Sequence, residues 1–82
     1  MKNKFEFAKA EVISMLRLSA QRTARYEDAM YSTTNEDEQE KFNRWRKGSA
    51  MEENVLYDVL TLAFNMRDDE VEAIISNAKR DR

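Results

Sequence analysis

The chain has 82 residues and a formal charge of −2; 41% of the residues are apolar, 37% are charged, one is glycine, and none is proline, cysteine or histidine. Without cysteine and histidine, disulfide bonds, the common nucleophile pairs and the usual zinc ligand sets are excluded, and the near-neutral charge provides no overall field toward nucleic acid or an anionic membrane. This composition favours an all-α single domain over residues 1–82. Charged side chains interrupt every apolar run, so we expect a soluble, cytoplasmic protein with no membrane contact. We also expect it to be non-catalytic, with no cofactor and no metal.

The first predicted helix runs from about Lys4 to Tyr31 and contains no glycine or proline. Its apolar side chains recur every three or four residues, a spacing that places them on one face of a helix. This stripe widens to about half of the helix circumference, which is more than the roughly 100° that packing on one core requires. The cluster from Ser32 to Asn35 predicts a turn, because these side chains bond to nearby backbone groups.

The second predicted arm extends from Asn35 to about Met66 and matches the first helix in length. The only glycine, Gly48, is followed by Ser49 and Glu52, which is typical of a helix end and then a capping box. We favour a break near Gly48, but a continuous helix stays open as an alternative because an internal glycine costs only about 1 kcal/mol. The two arms form an antiparallel hairpin in either case.

A short third helix is predicted from about Asp69 to Lys79, because its apolar residues follow the spacing i, i+3, i+4, i+7. The densest apolar block, between Val55 and Met66, is the natural partner of the first helix. The predicted fold is therefore a long antiparallel helical hairpin with a short C-terminal helix. We expect the five methionines to fill gaps in its core.

Some apolar side chains lie away from the predicted core faces. Phe7 and Leu18 leave the main stripe of the first helix, and Tyr57 and Phe64, bordered by Leu60, form a second strip. Exposed strips of this kind commonly mark helix-mediated contacts. The short third helix can cover one strip but hardly both, so we expect a self-associating module, a homodimer, that binds or regulates another intracellular protein.

The segment Arg44, Trp45, Arg46 and Lys47 suggests an alternative function, a small nucleic-acid-binding regulator. Cations beside an aromatic ring can contact phosphates and stack on a base. The simpler interpretation, which we favour, has Trp45 in the core and its charged neighbours in water.

The segment before the third helix reads Phe64, Asn65, Met66 and Arg67, followed by the apolar positions Val71 and Ile74. It resembles the turn of helix-turn-helix DNA-binding proteins, over less than a fifth of the chain. The resemblance implies a left-handed backbone at Asn65, where that family has glycine, and a recognition helix after the turn. The next helix opens with acidic residues that would face phosphates, so we favour a structural role for the turn.

Acidic residues cluster at the predicted helix starts, including Glu52 and Glu53 after Gly48. Carboxylates held together can bind a hard cation or transfer protons. A helix start favours acidic residues in any case, because its backbone dipole is positive there. We therefore expect these clusters to be exposed and solvated.

Overall fold

The computed structural model describes residues 3–81, and all regular structure in this range is helical. Helix α1 spans Lys4–Ser32, α2 spans Glu36–Asp58 and continues as a π-helical segment at Val59–Ala63, and α3 spans Asp68–Arg80. The fold is the predicted one, a long helical hairpin with a short C-terminal helix. Among the described residues, no helix is both long and apolar enough to cross a membrane.

The two arms of the hairpin are antiparallel and extend along most of the molecule, which measures 51 × 22 × 20 Å. Near the turn, the rings of Tyr26 and Trp45 are 5.6 Å apart between centroids. At the opposite, open end, the rings of Phe5 and Phe64 are 4.9 Å apart. Helix α3 packs on both arms at this open end.

Three asparagines mark the places where helices begin or end. Asn3 caps α1, and the side-chain oxygen of Asn35 accepts hydrogen bonds from the backbone N–H groups of Asp37 and Glu38, at 2.9 and 3.2 Å. These bonds satisfy donors that the first turn of a helix leaves free. Asn65 has a φ of 57°, the left-handed backbone that its place in the turn implies.

The apolar core lies at the open end, where the three helices meet. Leu16 from α1, Leu60 from the π-helical segment and Val71 from α3 are fully buried. Half-buried apolar side chains surround them: Val12, Ile13, Leu56, Tyr57, Phe64, Met66, Ile74 and Ile75. The expectation that Leu60 borders an exposed strip is therefore wrong, because the side chains of all three helices close around it.

Helix α2 is continuous through Gly48, so the predicted break near this residue is wrong. The φ of Gly48 is not positive, and no atom of residues 3–81 outside the local helix backbone lies within 4 Å of the position that a Cβ would take. The predicted capping box does not form, since Ser49 is buried and Glu52 accepts a hydrogen bond from Ser19 on α1. Packing on both sides of Gly48 outweighs the modest cost of an internal glycine.

The irregularity of the second arm lies instead at Val59–Ala63. Here the backbone N–H of Phe64 donates to the carbonyl oxygen of Val59, five residues earlier, at 3.3 Å. The hydroxyl of Thr61 donates to the carbonyl oxygen of Tyr57 at 3.1 Å. In a regular α-helix this carbonyl oxygen would accept a hydrogen bond from the backbone N–H of Thr61. This competition favours the wider turn just before the chain reverses.

Candidate functional site

An open apolar groove lies between α1 and α2, and α3 contributes no residue to it. Its volume is about 720 Å³. Met15 and Leu18 line it from α1, Met51 and Val55 line it from α2, and these four side chains are between 52% and 68% exposed. Single exposed apolar side chains are common on proteins, but a contiguous group around a groove indicates a binding surface.

The groove lies near the middle of both arms. Leu18 is the central residue of α1, and Met51 is close to the centre of the second arm at 36–63. Between the two walls of the groove, the Oε2 atom of Glu52 on α2 accepts hydrogen bonds from Ser19, at 2.9 Å, and from Arg22, at 3.2 Å, both on α1. The ion pair between Arg22 and Glu52 is about half exposed, so it contributes little to stability, but the two opposite charges balance each other.

A buried polar cluster joins the three helices beside the groove. Glu53 is only 6% exposed, and its Oε2 atom accepts a hydrogen bond of 2.5 Å from the hydroxyl of Thr23. Its Oε1 atom lies 3.5 Å from the ammonium nitrogen of Lys79 on α3. The expectation that Glu53 is exposed at a helix start is wrong, because α2 continues and turns this residue inward.

The groove and this polar cluster each combine side chains from different helices. No family model, curated protein or solved structure matches this chain.

Within residues 3–81, no group of three or more acidic side chains is arranged to hold a metal ion. Because the groove is lined mainly by apolar side chains, it can accommodate other apolar groups.

The structure separates the five residues predicted to form an interface. Phe7 and Leu18 are exposed on α1, and Leu18 lines the groove. Tyr57 and Phe64 are half-buried and pack with the side chains of α3, and Leu60 is in the core. Helix α3 therefore covers the second predicted strip and leaves the strip on α1 open.

Three groove residues were not recognised from the sequence as interface residues. Met15 and Val55 follow the helical spacing of the core faces, and Met51 was expected to fill a gap in the core. The assignment of Met15, Met51 and Val55 to the core is wrong, because two helices and a short third one cannot enclose the whole apolar stripe. The width of the apolar stripe on α1 is the feature of the sequence that indicates exposed apolar residues, because it exceeds what packing on one core requires.

Trp45 is 46% exposed and is not a core residue. Its ring contacts Tyr26 on α1 and forms an edge contact with Phe42, at 5.7 Å between centroids. The ammonium nitrogen of Lys41 lies 4.9 Å from the ring centroid. The exposed part of this ring is thus next to a cation at the turn end of the hairpin.

The three basic residues next to Trp45 do not all share one surface. The guanidinium of Arg46 donates to the side-chain oxygen of Asn43 at 2.7 Å, and both side chains are half-buried. Arg44 and Lys47 are exposed. Because successive residues on a helix are separated by about 100°, Arg44 and Arg46 point in different directions.

The turn before α3 makes its charged contacts locally. The side chain of Arg67 pairs with Asp69 at 3.4 Å and with Glu70 at 3.2 Å. The backbone N–H of Arg67 also donates to Glu70 at 3.3 Å, which is half of a capping box. The acidic residues at the start of α3 therefore stabilise the first turn of that helix.

Proposed function

We propose that this chain is a non-catalytic interaction module that self-associates as a dimer through its α1/α2 face and binds or regulates another intracellular protein. The observation that carries this proposal is the open apolar groove at the middle of the hairpin. Covering the side chains around it would remove apolar area from water, which is the main driving force for protein association.

The shape of the α1/α2 face supports a helical partner. Two packed helices present a long valley, and the side-chain ridge of another helix fits such a valley. Met15 and Met51, on opposite walls, have flexible side chains that adapt to the shape of a partner. A second copy of the hairpin would supply two such helices and complete a four-helix bundle.

We expect Leu18→Glu to raise the dissociation constant of the dimer at least about tenfold, because a carboxylate would be buried in an apolar contact. The measurement is solution mass by light scattering on a size-exclusion column over a dilution series, with the melting temperature followed in parallel. Tyr31→Glu is the matched control, since Tyr31 is an exposed apolar residue of the same helix outside the groove.

Two results would contradict this proposal. One is a wild-type chain that stays monomeric at every concentration in the series. The other is a dimer that Leu18→Glu and Tyr31→Glu affect equally, because such a dimer would use another surface.

The half-exposed ring of Trp45 supports the alternative, a nucleic-acid-binding regulator that uses Arg44, Trp45, Arg46 and Lys47. Fluorescence anisotropy with labelled single-stranded and duplex DNA tests it. Binding should weaken steeply as salt increases and should be lost when the three basic residues are replaced by alanine. Absence of binding at low salt excludes this function.

A further inference from the structure

We infer that the second copy binds in one orientation, with its hairpin antiparallel to the first and with the two-fold axis crossing the hairpin at the groove. This inference rests on the proposed self-association and adds its geometry. It follows from the order of charges along the two helices that line the groove, from the central position of the groove, and from the unexplained glycine on its wall.

On α1, opposite charges lie symmetrically on either side of Leu18. Glu11 is seven residues before Leu18 and Arg25 is seven residues after it. Seven residues are close to two helical turns, so these three side chains share one face of α1. Glu11 and Arg25 are exposed, and neither forms an ion pair with another residue of the described part of the chain.

The same arrangement occurs on α2 on either side of Met51. Arg44 is seven residues before Met51 and Asp58 is seven residues after it, and both are exposed. Because the arms are antiparallel, Arg44 lies near Arg25 at the turn end of the face. Asp58 and Glu11 lie at the open end. Immediately around its apolar middle, the face therefore carries positive charge on the turn side, from Arg25 and Arg44, and negative charge on the open side, from Glu11 and Asp58.

Two hairpins that pack face to face have two possible two-fold arrangements. If the axis runs along the hairpin, equal ends meet, so that Arg25 faces Arg44 of the other copy and Glu11 faces Asp58. If the axis crosses the hairpin, each helix lies antiparallel to its own equivalent, so that Arg25 faces Glu11 and Arg44 faces Asp58. Like charges across an interface are unfavourable and opposite charges select the partner and its register. The charges therefore select the second arrangement.

The outermost charges on these faces agree with this choice. Lys4 lies two further turns beyond Glu11 on α1, and Asp37 lies two further turns beyond Arg44 on α2. Both are exposed. Only the antiparallel arrangement brings Lys4 of one copy and Asp37 of the other to the same end of the dimer.

The central position of the groove suits a second copy in this orientation. When antiparallel hairpins share a patch at their midpoint, they overlap along their full length, whereas a patch near one end would leave the other end unpaired. A stable interface requires roughly 800 Å² from each partner. A face that extends over 51 Å of length and 22 Å of width is large enough to supply this area.

The antiparallel arrangement of the dimer explains why position 48 of α2 is a glycine. The fold of one copy has room for a side chain here and does not need a positive φ, yet the helix carries its least favourable residue other than proline. Gly48 lies one turn from Met51 and borders the groove. Its missing side chain would let the α2 helices of the two copies approach closely beside the axis.

The sign of the effect of Arg25→Glu on the dissociation constant distinguishes the two arrangements. In the antiparallel dimer the new glutamate faces Glu11 at two equivalent places, and we expect the dissociation constant to rise about tenfold. In the other arrangement it faces Arg44, so a fall in the dissociation constant would overturn the inference. Exchanging the charges, by Glu11→Arg together with Arg25→Glu, should restore the wild-type value. Arg17→Glu, exposed on another face of α1, is the control and should have little effect.

A cross-link provides a second measurement, because the chain has no native cysteine. Near the axis a residue meets its own equivalent, so Leu18→Cys should form a disulfide-linked dimer on mild oxidation. In the other arrangement the two α1 helices are separated by an intervening α2, and their Cα atoms exceed the limit of roughly 7 Å for a disulfide. Absence of the cross-link in a dimeric sample would therefore also overturn the inference.

The failure of this inference and the failure of the proposed self-association give different results. A chain that is monomeric throughout the dilution series contradicts both the self-association and the antiparallel orientation. A dimer whose dissociation constant is lowered or left unchanged by Arg25→Glu supports self-association and contradicts the antiparallel orientation.

Discussion

Tyr57 lies where α2 meets α3, and its surroundings raise the pKa of its hydroxyl to about 12, with burial as the largest cause. A hydrogen bond to the carboxylate of Asp68 raises this pKa as well, and the negative charges of Asp68, Glu72 and Asp58 add to the effect. These contacts stabilise the neutral phenol and disfavour the phenolate. Tyr57, which the sequence suggested as an interface residue, therefore connects α2 and α3 within one copy of the chain.

The raised pKa of Tyr57 predicts a loss of stability at alkaline pH. An ordinary tyrosine has a pKa of 10.0, so the contribution of Tyr57 is fully present below about pH 10 and is lost as the pH rises toward 12. Denaturant unfolding across this range should show the decline, and tyrosinate absorbance of the folded protein should show one late-titrating group. Tyr57→Phe should remove that late step; a step that persists in this variant would contradict the assignment.

At the scale of the helix, the continuity of α2 depends on packing rather than on local preference. Around Gly48 the local signals favour an end and a new start, and the tertiary contacts of Ser49, Glu52 and Glu53 override them. Helix formation is cooperative, so contacts on both sides of a weak position keep that position helical.

We expect Gly48→Ala to raise the free energy of unfolding by about 0.5–1 kcal/mol, because alanine favours the helix and the added methyl group meets open space. Urea unfolding in the Leu18→Glu background measures this effect without a contribution from self-association. Ala73→Gly, at an exposed position of α3, is the reverse control and should lower stability by a similar amount. A destabilised Gly48→Ala variant would show that the backbone at this position requires glycine.

At the scale of the whole molecule, α3 is attached to the hairpin by apolar contacts at one end and by a polar contact at the other. Near its start, Val71 completes the core with Leu16 and Leu60. Near its end, Lys79 reaches the buried carboxylate of Glu53 on α2. The position of α3 determines which apolar strip is covered, and thus which face of the hairpin is left for a partner.

We expect Lys79→Met to lower the free energy of unfolding by about 1–2 kcal/mol, because it leaves the carboxylate of Glu53 buried without this cation. The effect should be smaller than for a fully buried pair, since the Lys79 side chain is 37% exposed. Urea unfolding followed by circular dichroism measures it. Arg80→Met should have little effect, and Glu53→Gln combined with Lys79→Met should recover part of the loss because no buried charge is left unpaired. Equal stability of all variants would show that the contact does not hold α3.

Local sequence patterns predict where α1, the second arm and α3 lie along the chain, although they wrongly favour a break at Gly48. The extents of α1 and α3 follow from apolar spacing and the start of α2 follows from Asn35, because each of these features depends on neighbours within a few residues. The left-handed backbone at Asn65 is the one that the resemblance to the helix-turn-helix turn implies. The predicted third helix differs from the observed one by one residue at each end.

Which apolar side chains are covered depends on the packing of the three helices. Leu60 is buried, Met15 and Met51 are exposed, Glu53 is inside, and α2 passes through Gly48 without a break. These outcomes depend on where α3 packs on the hairpin and on the angular position of each side chain relative to both neighbouring helices. Periodicity shows that a helix has an apolar stripe, but contacts distant in sequence determine which part of that stripe is left facing water.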